Sequence, residues 1–242
     1  MTARLYLDPA EVALAAGASI ELPGAAAHHA LRVLRLRDGE ALTLFDGTGG
    51  EWRATIAVAG RRGASVAVEA HDPVERESPL AATLVVSTLA TDAMDYAVRK
   101  AVELGAAAIV PVVAARSQGA LRGDRRVEHW RRIAVAACEQ CGRNRVPPIG
   151  LPQPLAAWLG TRDAARPGIV LAPGGHAPLA GIGAVDAIDV LVGPEGGLDA
   201  AEIAAAKRAG MRAVTMGPRV MKAETACVAA LAALQALRGD LG

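Results

Sequence analysis

Near the end of the chain, a Gly-Pro pair is followed closely by four polar or charged side chains: Arg219, Lys222, Glu224 and Thr225. A cationic side chain can stabilise negative charge on a reacting group, and a carboxylate can accept a proton. A turn alone requires none of these residue types. A plain tight turn is still the alternative for any single Gly-Pro loop, because Gly and Pro are common in the turns of every α/β protein.

Two earlier bends resemble this one. Residues 193–197 read Gly-Pro-Glu-Gly-Gly and residues 173–175 read Pro-Gly-Gly, and each follows a short apolar run. Bends at the ends of neighbouring strands form a crevice in which open α/β sheets bind ligands. Glycine lets main chain approach a ligand closely, and proline fixes the shape of a bend. The spacing therefore predicts a ligand site made mostly of main chain.

From residue 83 onward, strand-like and helix-like segments alternate, which predicts βαβ units and a parallel sheet. Asp199 and Glu202 form a capping box at the start of one helix, and Asp92 is the expected N-cap of another. Glycines are expected to end three helices. The expected strands are 84–89, 108–113, 168–172, 189–192 and 213–216, the expected helices include 94–104, 127–141, 155–159 and 226–237, and the terminating glycines are Gly105, Gly142 and Gly210.

The first part of the chain is expected to be a small β domain, since short strand-like runs alternate there with turns such as 46–50 and 60–63. A short helix over 25–35 would turn Leu31 and Leu34 inward. The expected strands are 4–7, 19–22, 41–45, 53–59 and 65–69. We therefore predict a β domain over residues 1–72, a linker over 73–79 and an α/β domain over 80–242.

Charge is distributed unevenly, although the net charge of the chain is only +1. Residues 116–145 hold eight arginines against three acidic residues. Arginine suits phosphate because its guanidinium presents donors as a fork, which favours RNA as a partner. The alternative is a solvated face. The expected RNA contacts are Arg32 and Arg35 beside the short helix, with Arg37 nearby, and the loop residues Arg143, Asn144 and Arg145.

Other classes of site are disfavoured. Cys138 and Cys141 form a C-x-x-C pair and His28-His29 are adjacent, but neither pair has further ligands at the spacing that zinc needs, so no metal is expected. The G-x-G-x-x-G and P-loop signatures of nucleotide sites are missing. No apolar run reaches the roughly 18 residues of a membrane span, and the N-terminus lacks the apolar core of a signal peptide, so a cytoplasmic protein is expected.

Four stretches carry a family resemblance: 28–47, 137–147 (ACEQCGRNRVP), 191–198 (LVGPEGGL) and 216–226 (MGPRVMKAETA). Together they resemble the SPOUT-class RNA methyltransferases, and more narrowly the RsmE-type enzymes. The resemblance implies a PUA-like RNA-binding β-barrel followed by a knotted parallel-sheet domain, and a homodimer with its site near the interface. It also implies methylation of N3 of one uridine in 16S ribosomal RNA, with S-adenosyl-L-methionine as cofactor. Lys222 and Ala223 depart from the Arg-Thr pair that is usual in the family.

By this resemblance, the cofactor-binding positions are Leu171, Ala172, Gly193, Glu195, Gly196, Met216, Gly217, Val220 and Met221. We expect Arg219 or Lys222 to stabilise charge and Glu224 to position or accept the proton. Glu224 could instead be structural and cap the last helix with Thr225. That helix is apolar nearly all round and would be buried in a dimer interface or within its own monomer. A non-catalytic RNA-binding or ribosome-assembly protein is the alternative function.

Overall fold

The computed structural model describes residues 2–60, 63–118, 124–174 and 177–242. Arg61 and Arg62 of the expected turn 60–63, Arg122 of the arginine-rich segment and Gly175 of the expected third bend lie outside these residues. The chain forms two compact units. The first comprises the residues up to Glu77 together with Cys138–Val146, and the second comprises Ser78–Ala137 and Pro147–Gly242. The segment 138–146, which we expected in the α/β domain, therefore belongs to the first unit.

The first unit is built on a mixed five-stranded sheet with the order β1-β3-β4-β5-β2. Strand β1 is parallel to β3, and the other neighbours are antiparallel. Its strands are β1 (Ala3–Tyr6), β2 (Ser19–Glu21), β3 (Ala41–Phe45), β4 (Glu51–Gly60) and β5 (Gly63–Asp72). Every second residue of β5 from Ala64 to Val68 is buried, as expected for a strand with one face on the core.

The predicted short helix of the first unit is present in two parts. Helix α1 (Gly24–His28) continues directly into a wider π-helical turn over His29–Val33. Ala27 and Ala30 are its fully buried residues, whereas Leu31 is only partly buried against the same core. The small alanines let this segment lie close to the sheet.

The second unit contains a seven-stranded sheet with the order β10-β12-β9-β11-β6-β7-β8, in which all neighbours are parallel. Its strands are β6 (Ala81–Ser87), β7 (Ala108–Val113), β8 (Gln153–Pro154), β9 (Gly168–Leu171), β10 (Ala177–Pro178), β11 (Ala187–Val192) and β12 (Arg212–Thr215). The central strands β6 and β11 are buried over almost their whole length, as is typical of a parallel sheet covered on both faces.

Within the described residues, four longer helices and a short 3-10 turn connect these strands, and a fifth helix follows the last strand. They are α2 (Thr91–Glu103), α3 (Asp124–Cys141), α4 (Leu155–Thr161), α5 (Ala200–Arg208), α6 (Ala223–Arg238) and the turn Leu179–Gly181. Helix α3 belongs to the second unit up to Ala137. Among the helices within the described ranges, none is both long enough and apolar enough to cross a bilayer.

The predicted glycines follow the ends of α2, α3 and α5, but α2, α3 and α6 each begin three residues earlier than expected. Asp199 and Glu202 form the predicted capping box of α5, and Gly210 follows that helix with a φ of 84°. The prediction that Asp92 caps α2 is wrong, because α2 begins at Thr91 and its N-cap is Ala90. Asp92 lies instead in the first turn, where a carboxylate interacts favourably with the helix dipole.

A buried carboxylate fixes the start of β11. Asp189 is 5% exposed, and it accepts hydrogen bonds from Arg166 Nε at 2.7 Å and from Arg162 Nη2 at 3.2 Å. A charge out of water is tolerated only when it is paired in this way. The two guanidiniums therefore stabilise the beginning of the strand that ends at the bend 193–197.

Candidate active site

Three bends meet at the carboxyl ends of β9, β11 and β12, which are neighbours in the sheet. Together they enclose a cavity of about 650 Å³. Its wall includes residues 171–174, 192–198 and 214–221, with Arg116, Ile203, Ala223 and Ala226. The prediction that the three bends share one crevice is confirmed for their described residues, which include Pro173 and Gly174.

The nine residues expected to bind the cofactor all lie in this wall. They are Leu171, Ala172, Gly193, Glu195, Gly196, Met216, Gly217, Val220 and Met221. The structure thus gathers positions that lie up to fifty residues apart in the chain. Their contact with a cofactor stays a prediction at this point.

The glycines of the wall are there for steric reasons. A Cβ on Gly193 would lie 3.0 Å from the main-chain nitrogen of Leu198 and 2.9 Å from its Cγ. Gly217 has a φ of 70°, which L side chains rarely adopt. Any larger residue at position 193 would push the bend open. The wall is therefore formed by main chain, with apolar cover from Met216, Val220 and Met221.

The bend 193–197 is tied to other loops at the same edge of the sheet. Glu195 accepts a hydrogen bond from the main-chain N–H of Ala90 at 2.9 Å, and Arg116 Nη1 donates to the carbonyl of Gly196 at 2.9 Å. Glu202 Oε1 also accepts from the main-chain N–H of Ala115 at 2.7 Å. Sequence analysis counted Arg116 only within the arginine-rich segment 116–145 and did not place it at the crevice, because one arginine three residues after a strand is not a distinctive pattern.

The three expected catalytic residues are placed differently. Arg219 is exposed and lies in the cavity wall. Lys222 is the N-cap residue of α6 and Glu224 lies in the first turn of that helix, and neither belongs to the wall. Glu224 is half-buried. Burial raises the pKa of the Cys227 thiol to about 12, and the negative charge of Glu224 on the same helix adds to this increase. A carboxylate there also interacts favourably with the helix dipole.

The loop expected to bind RNA is largely internal to the first unit. Arg143 is 4% exposed, and its Nε donates to Glu77 Oε1 at 2.9 Å. Asn144 is fully buried, and its Nδ2 donates to the carbonyl of Val74 at 2.8 Å. The prediction that Arg143 and Asn144 contact RNA is therefore corrected. Both side chains are buried, and they form hydrogen bonds to Glu77 and Val74 inside the unit, as buried polar groups must.

The other predicted RNA contacts remain at the surface. Arg145 forms an ion pair with Glu75 at 2.8 Å, and half of its side chain is exposed. Arg32, Arg35 and Arg37 are all exposed on the segment that follows α1. These residues stay candidates for contact with phosphate.

Cys138, the first residue of the C-x-x-C pair, packs in the interior of the first unit. Cys138 is fully buried, and burial raises the pKa of its thiol to about 12. Its Sγ contacts the carbonyl of Arg145 at 3.5 Å. A thiol with so high a pKa is a poor nucleophile, because that role requires the thiolate. Throughout the portion of the chain that the structure describes, no three His, Cys, Asp or Glu side chains are grouped as metal ligands.

Comparison with known proteins assigns both units to families. Residues 76–235 match the family model described as an RNA methyltransferase domain, and residues 22–69 match an RNA methyltransferase PUA domain. A protein of Mycobacterium bovis named Ribosomal RNA small subunit methyltransferase E is 33% identical over 91% of this chain and 87% of its own length. A protein of the same name from Buchnera aphidicola is 27% identical over 92% of each chain.

Solved structures agree with this assignment. The Ribosomal RNA small subunit methyltransferase E of Neisseria gonorrhoeae, bound to S-adenosyl methionine, has a TM-score of 0.93 and 37% identity over the whole of both chains. A putative methyltransferase of Legionella pneumophila, in complex with the cofactor SAM, has a TM-score of 0.89 and 31% identity, again over both whole chains. A domain match over most of the chain and relatives above 30% identity lead to one conclusion: this chain belongs to the RNA methyltransferase family and carries that family's PUA domain.

Proposed function

We propose that the chain methylates N3 of a specific uridine in 16S ribosomal RNA, the RNA of the small ribosomal subunit, with S-adenosyl-L-methionine as methyl donor. Two kinds of support converge on this activity. Relatives that align over nearly the whole chain are named as small-subunit ribosomal RNA methyltransferases, and two close structural neighbours hold the cofactor. The N3 position of uridine comes from the resemblance to the RsmE-type enzymes.

The observation that carries the proposal is the cavity between the three bends. Its volume of about 650 Å³ lies in the usual range for small-molecule sites. Its wall combines main chain at Gly193, Gly196 and Gly217 with the apolar side chains of Met216 and Met221. Such a wall fits a flat, amphipathic adenosine, whose faces are apolar and whose edges carry hydrogen-bonding groups. The nine wall residues given above would hold the cofactor.

The chemistry requires removal of the proton that uracil N3 carries at neutral pH. When bound, S-adenosyl-L-methionine supplies an electrophilic methyl group on a positively charged sulfur. The guanidinium of Arg219 is placed at the cavity, where it would stabilise negative charge on the base. Glu224 is our candidate for positioning or accepting the proton, and Lys222 adds positive charge next to it.

RNA would be held by the exposed arginines of the first unit, Arg32, Arg35 and Arg145. Phosphate contacts of this kind position an RNA without reading its sequence. The target uridine must leave its base stack to reach a methyl group inside a cavity.

The resemblance further supports a homodimer, a C-terminal trefoil knot and a cytoplasmic location, where ribosomal RNA is modified. Helix α6 has the surface that a dimer needs: Val228, Ala229, Ala232 and Ala233 are only partly buried. Small side chains allow close approach of a second copy. Analytical ultracentrifugation tests the assembly, and a purely monomeric protein at micromolar concentration would contradict it.

Two measurements test the function. Calorimetry should detect binding of S-adenosyl-L-methionine by the purified protein, whereas no heat of binding at millimolar cofactor would favour a non-catalytic RNA-binding or assembly protein. Mapping of methylated uridines in 16S ribosomal RNA from a deletion strain, with and without this chain, should show one N3-methyluridine that depends on it. If every modification persists in the deletion strain, the proposed substrate is wrong.

A further inference from the structure

Arg116 is a cation of the cavity wall that none of the expected roles includes. It follows β7, which is separated from β11 by β6 in the sheet, whereas the three bends follow β9, β11 and β12. Within the described residues, Arg116 and Arg219 are the cationic side chains of the wall. The Arg116 side chain therefore lines the cavity on the side opposite to the bends that follow β9 and β12.

The Arg116 side chain is held in place before any ligand arrives. Its Nη1 donates to the carbonyl of Gly196 at 2.9 Å. A Cβ on Gly196 would lie only 3.2 Å from Cβ and 3.4 Å from Cδ of Arg116, so the side chain lies directly along the glycine. The main-chain N–H of the preceding residue, Ala115, is fixed by Glu202. Preorganised donors of this kind cost little reorganisation when charge develops beside them.

Most of the hydrogen-bonding capacity of Arg116 is still available. The guanidinium has five N–H donors, and the structure gives it one acceptor among the residues it describes. The carboxylate in the wall, Glu195, is engaged with the N–H of Ala90. The flank of the cavity beside Arg116 is thus suited to a ligand that offers oxygen acceptors and negative charge.

We propose that Arg116 is a catalytic residue that binds the target uracil through a ring carbonyl oxygen and stabilises the negative charge of the deprotonated base. This inference rests on the function proposed above. In the step, the N3–H bond breaks and the proton passes to Glu224 or to water. N3 then forms a bond to the methyl carbon, the bond from that carbon to sulfur breaks, and its electron pair stays on sulfur. The guanidinium forms a stronger hydrogen bond to the deprotonated base than to the neutral base, because donor and acceptor then carry opposite charges.

The test uses the full-length protein with Arg116→Ala and Arg116→Lys, and with Arg208→Ala as a matched control, since Arg208 is exposed and lies outside the wall. We expect Arg116→Ala to lower kcat by about 10²–10³, the usual loss when one donor to a developing anion is removed. Arg116→Lys should recover part of this loss. Affinity for S-adenosyl-L-methionine, measured by calorimetry without RNA, should not change for Arg208→Ala and should fall by no more than about tenfold for the two Arg116 variants, because Arg116 also holds the bend through its one hydrogen bond to the carbonyl of Gly196.

The pH profile and chemical rescue give independent readouts. Without the guanidinium the bound base ionises less readily, so the rate of Arg116→Ala should reach its plateau at higher pH, and added guanidinium ion should restore part of the rate. A parallel loss of cofactor affinity would assign Arg116 to the cofactor, and an unchanged kcat would remove it from the reaction; either result overturns the inference alone. An unaltered protein that methylates no uridine overturns the proposed function instead.

Discussion

The carboxylate of Glu195 accepts a hydrogen bond from the main-chain N–H of Ala90, 2.9 Å away and on a different loop of the sheet. Glu195 is one of the positions expected to bind the cofactor. The structure gives its carboxylate a different partner, and this contact ties the bend 193–197 to the start of α2. Glu195 would then act on the cofactor through the position of the bend.

Replacement of Glu195 tests this relationship. Glu195→Ala should weaken binding of S-adenosyl-L-methionine by about ten- to a hundredfold, because a hydrogen bond to a charged acceptor contributes about 1.5–3 kcal/mol and 1.4 kcal/mol is one factor of ten. Glu195→Gln keeps an oxygen acceptor for Ala90 and should bind nearly normally. Calorimetry measures both. An equal loss in the two variants would show that the negative charge itself contacts the ligand.

Gly193→Ala should damage the cavity more than it damages the fold. The added Cβ would lie 3.0 Å from main chain at Leu198, so the bend must move. We expect cofactor affinity to fall at least tenfold, with a loss of about 1–3 kcal/mol in unfolding free energy from overpacking. Gly183→Ala is the matched control, since nothing lies within 4 Å of its Cβ position and Gly183 is outside the cavity wall. Normal cofactor binding by Gly193→Ala would contradict a closely fitted bend.

Glu224→Gln separates the two roles considered for this residue. If Glu224 accepts the N3 proton, kcat should fall by about 10²–10⁴, the usual contribution of a positioned base, while cofactor affinity is retained. If Glu224 serves only the first turn of α6, turnover and cofactor affinity should fall together and modestly. Single-turnover kinetics and calorimetry on the same preparation distinguish these outcomes.

Arg143→Ala should destabilise the protein by about 3–5 kcal/mol, because it leaves the carboxylate of Glu77 without its partner in a largely buried ion pair. Arg145→Ala is the control: its ion pair with Glu75 is about half exposed and should contribute less than about 1 kcal/mol. Urea unfolding measures both. Similar values for the two variants would mean that Arg143 is not a structural residue.

Glu51 predicts an acid-sensitive first unit. Burial alone would raise the pKa of this carboxyl, but hydrogen bonds from Arg76 and Arg4 outweigh it and lower the pKa from its usual 4.5 to about 2. A carboxyl group whose pKa is lower in the folded state than in the unfolded state stabilises the folded protein at pH values above the unfolded-state pKa. That contribution is lost as the pH falls from about 4.5 towards 2.

The measurement compares Glu51→Gln with the unaltered protein across this range. At pH 7 the variant should be less stable by about 2 kcal/mol, as expected for hydrogen bonds to a charged group. The difference should shrink to about 0.4 kcal/mol near pH 2, where about half of Glu51 is protonated in the folded state. Glu11→Gln, at an exposed carboxylate, is the control and should change little at any pH. A difference that persists undiminished at pH 2 would show that the ion pairs with Arg4 and Arg76 do not explain the stability.

Two features of the sequence predicted the structure well: the periodic spacing of apolar residues, and the glycines and prolines between the apolar segments. Alternating strands and helices predicted the parallel sheet, and the Gly-Pro bends predicted the cavity, because both signals are local. Long-range partners were not predictable in this way. The pairing of Arg143 with Glu77 and of Glu195 with Ala90 joins residues far apart in the chain, so arginine clustering alone suggested an RNA contact where the structure has a buried ion pair. Arg116 was missed because a single arginine after a strand has no distinctive pattern.

The insertion of Cys138–Val146 into the first unit has a consequence for synthesis on the ribosome. When Glu77 leaves the exit tunnel, the amino-terminal unit still lacks the segment that supplies Arg143 and Asn144, which must be translated later, in the middle of the following unit. Nascent chains usually complete their domains in order from the amino terminus. Here the first unit must wait for part of the second to be made, so the two mature together, and a gene cut after codon 77 would encode an incomplete domain.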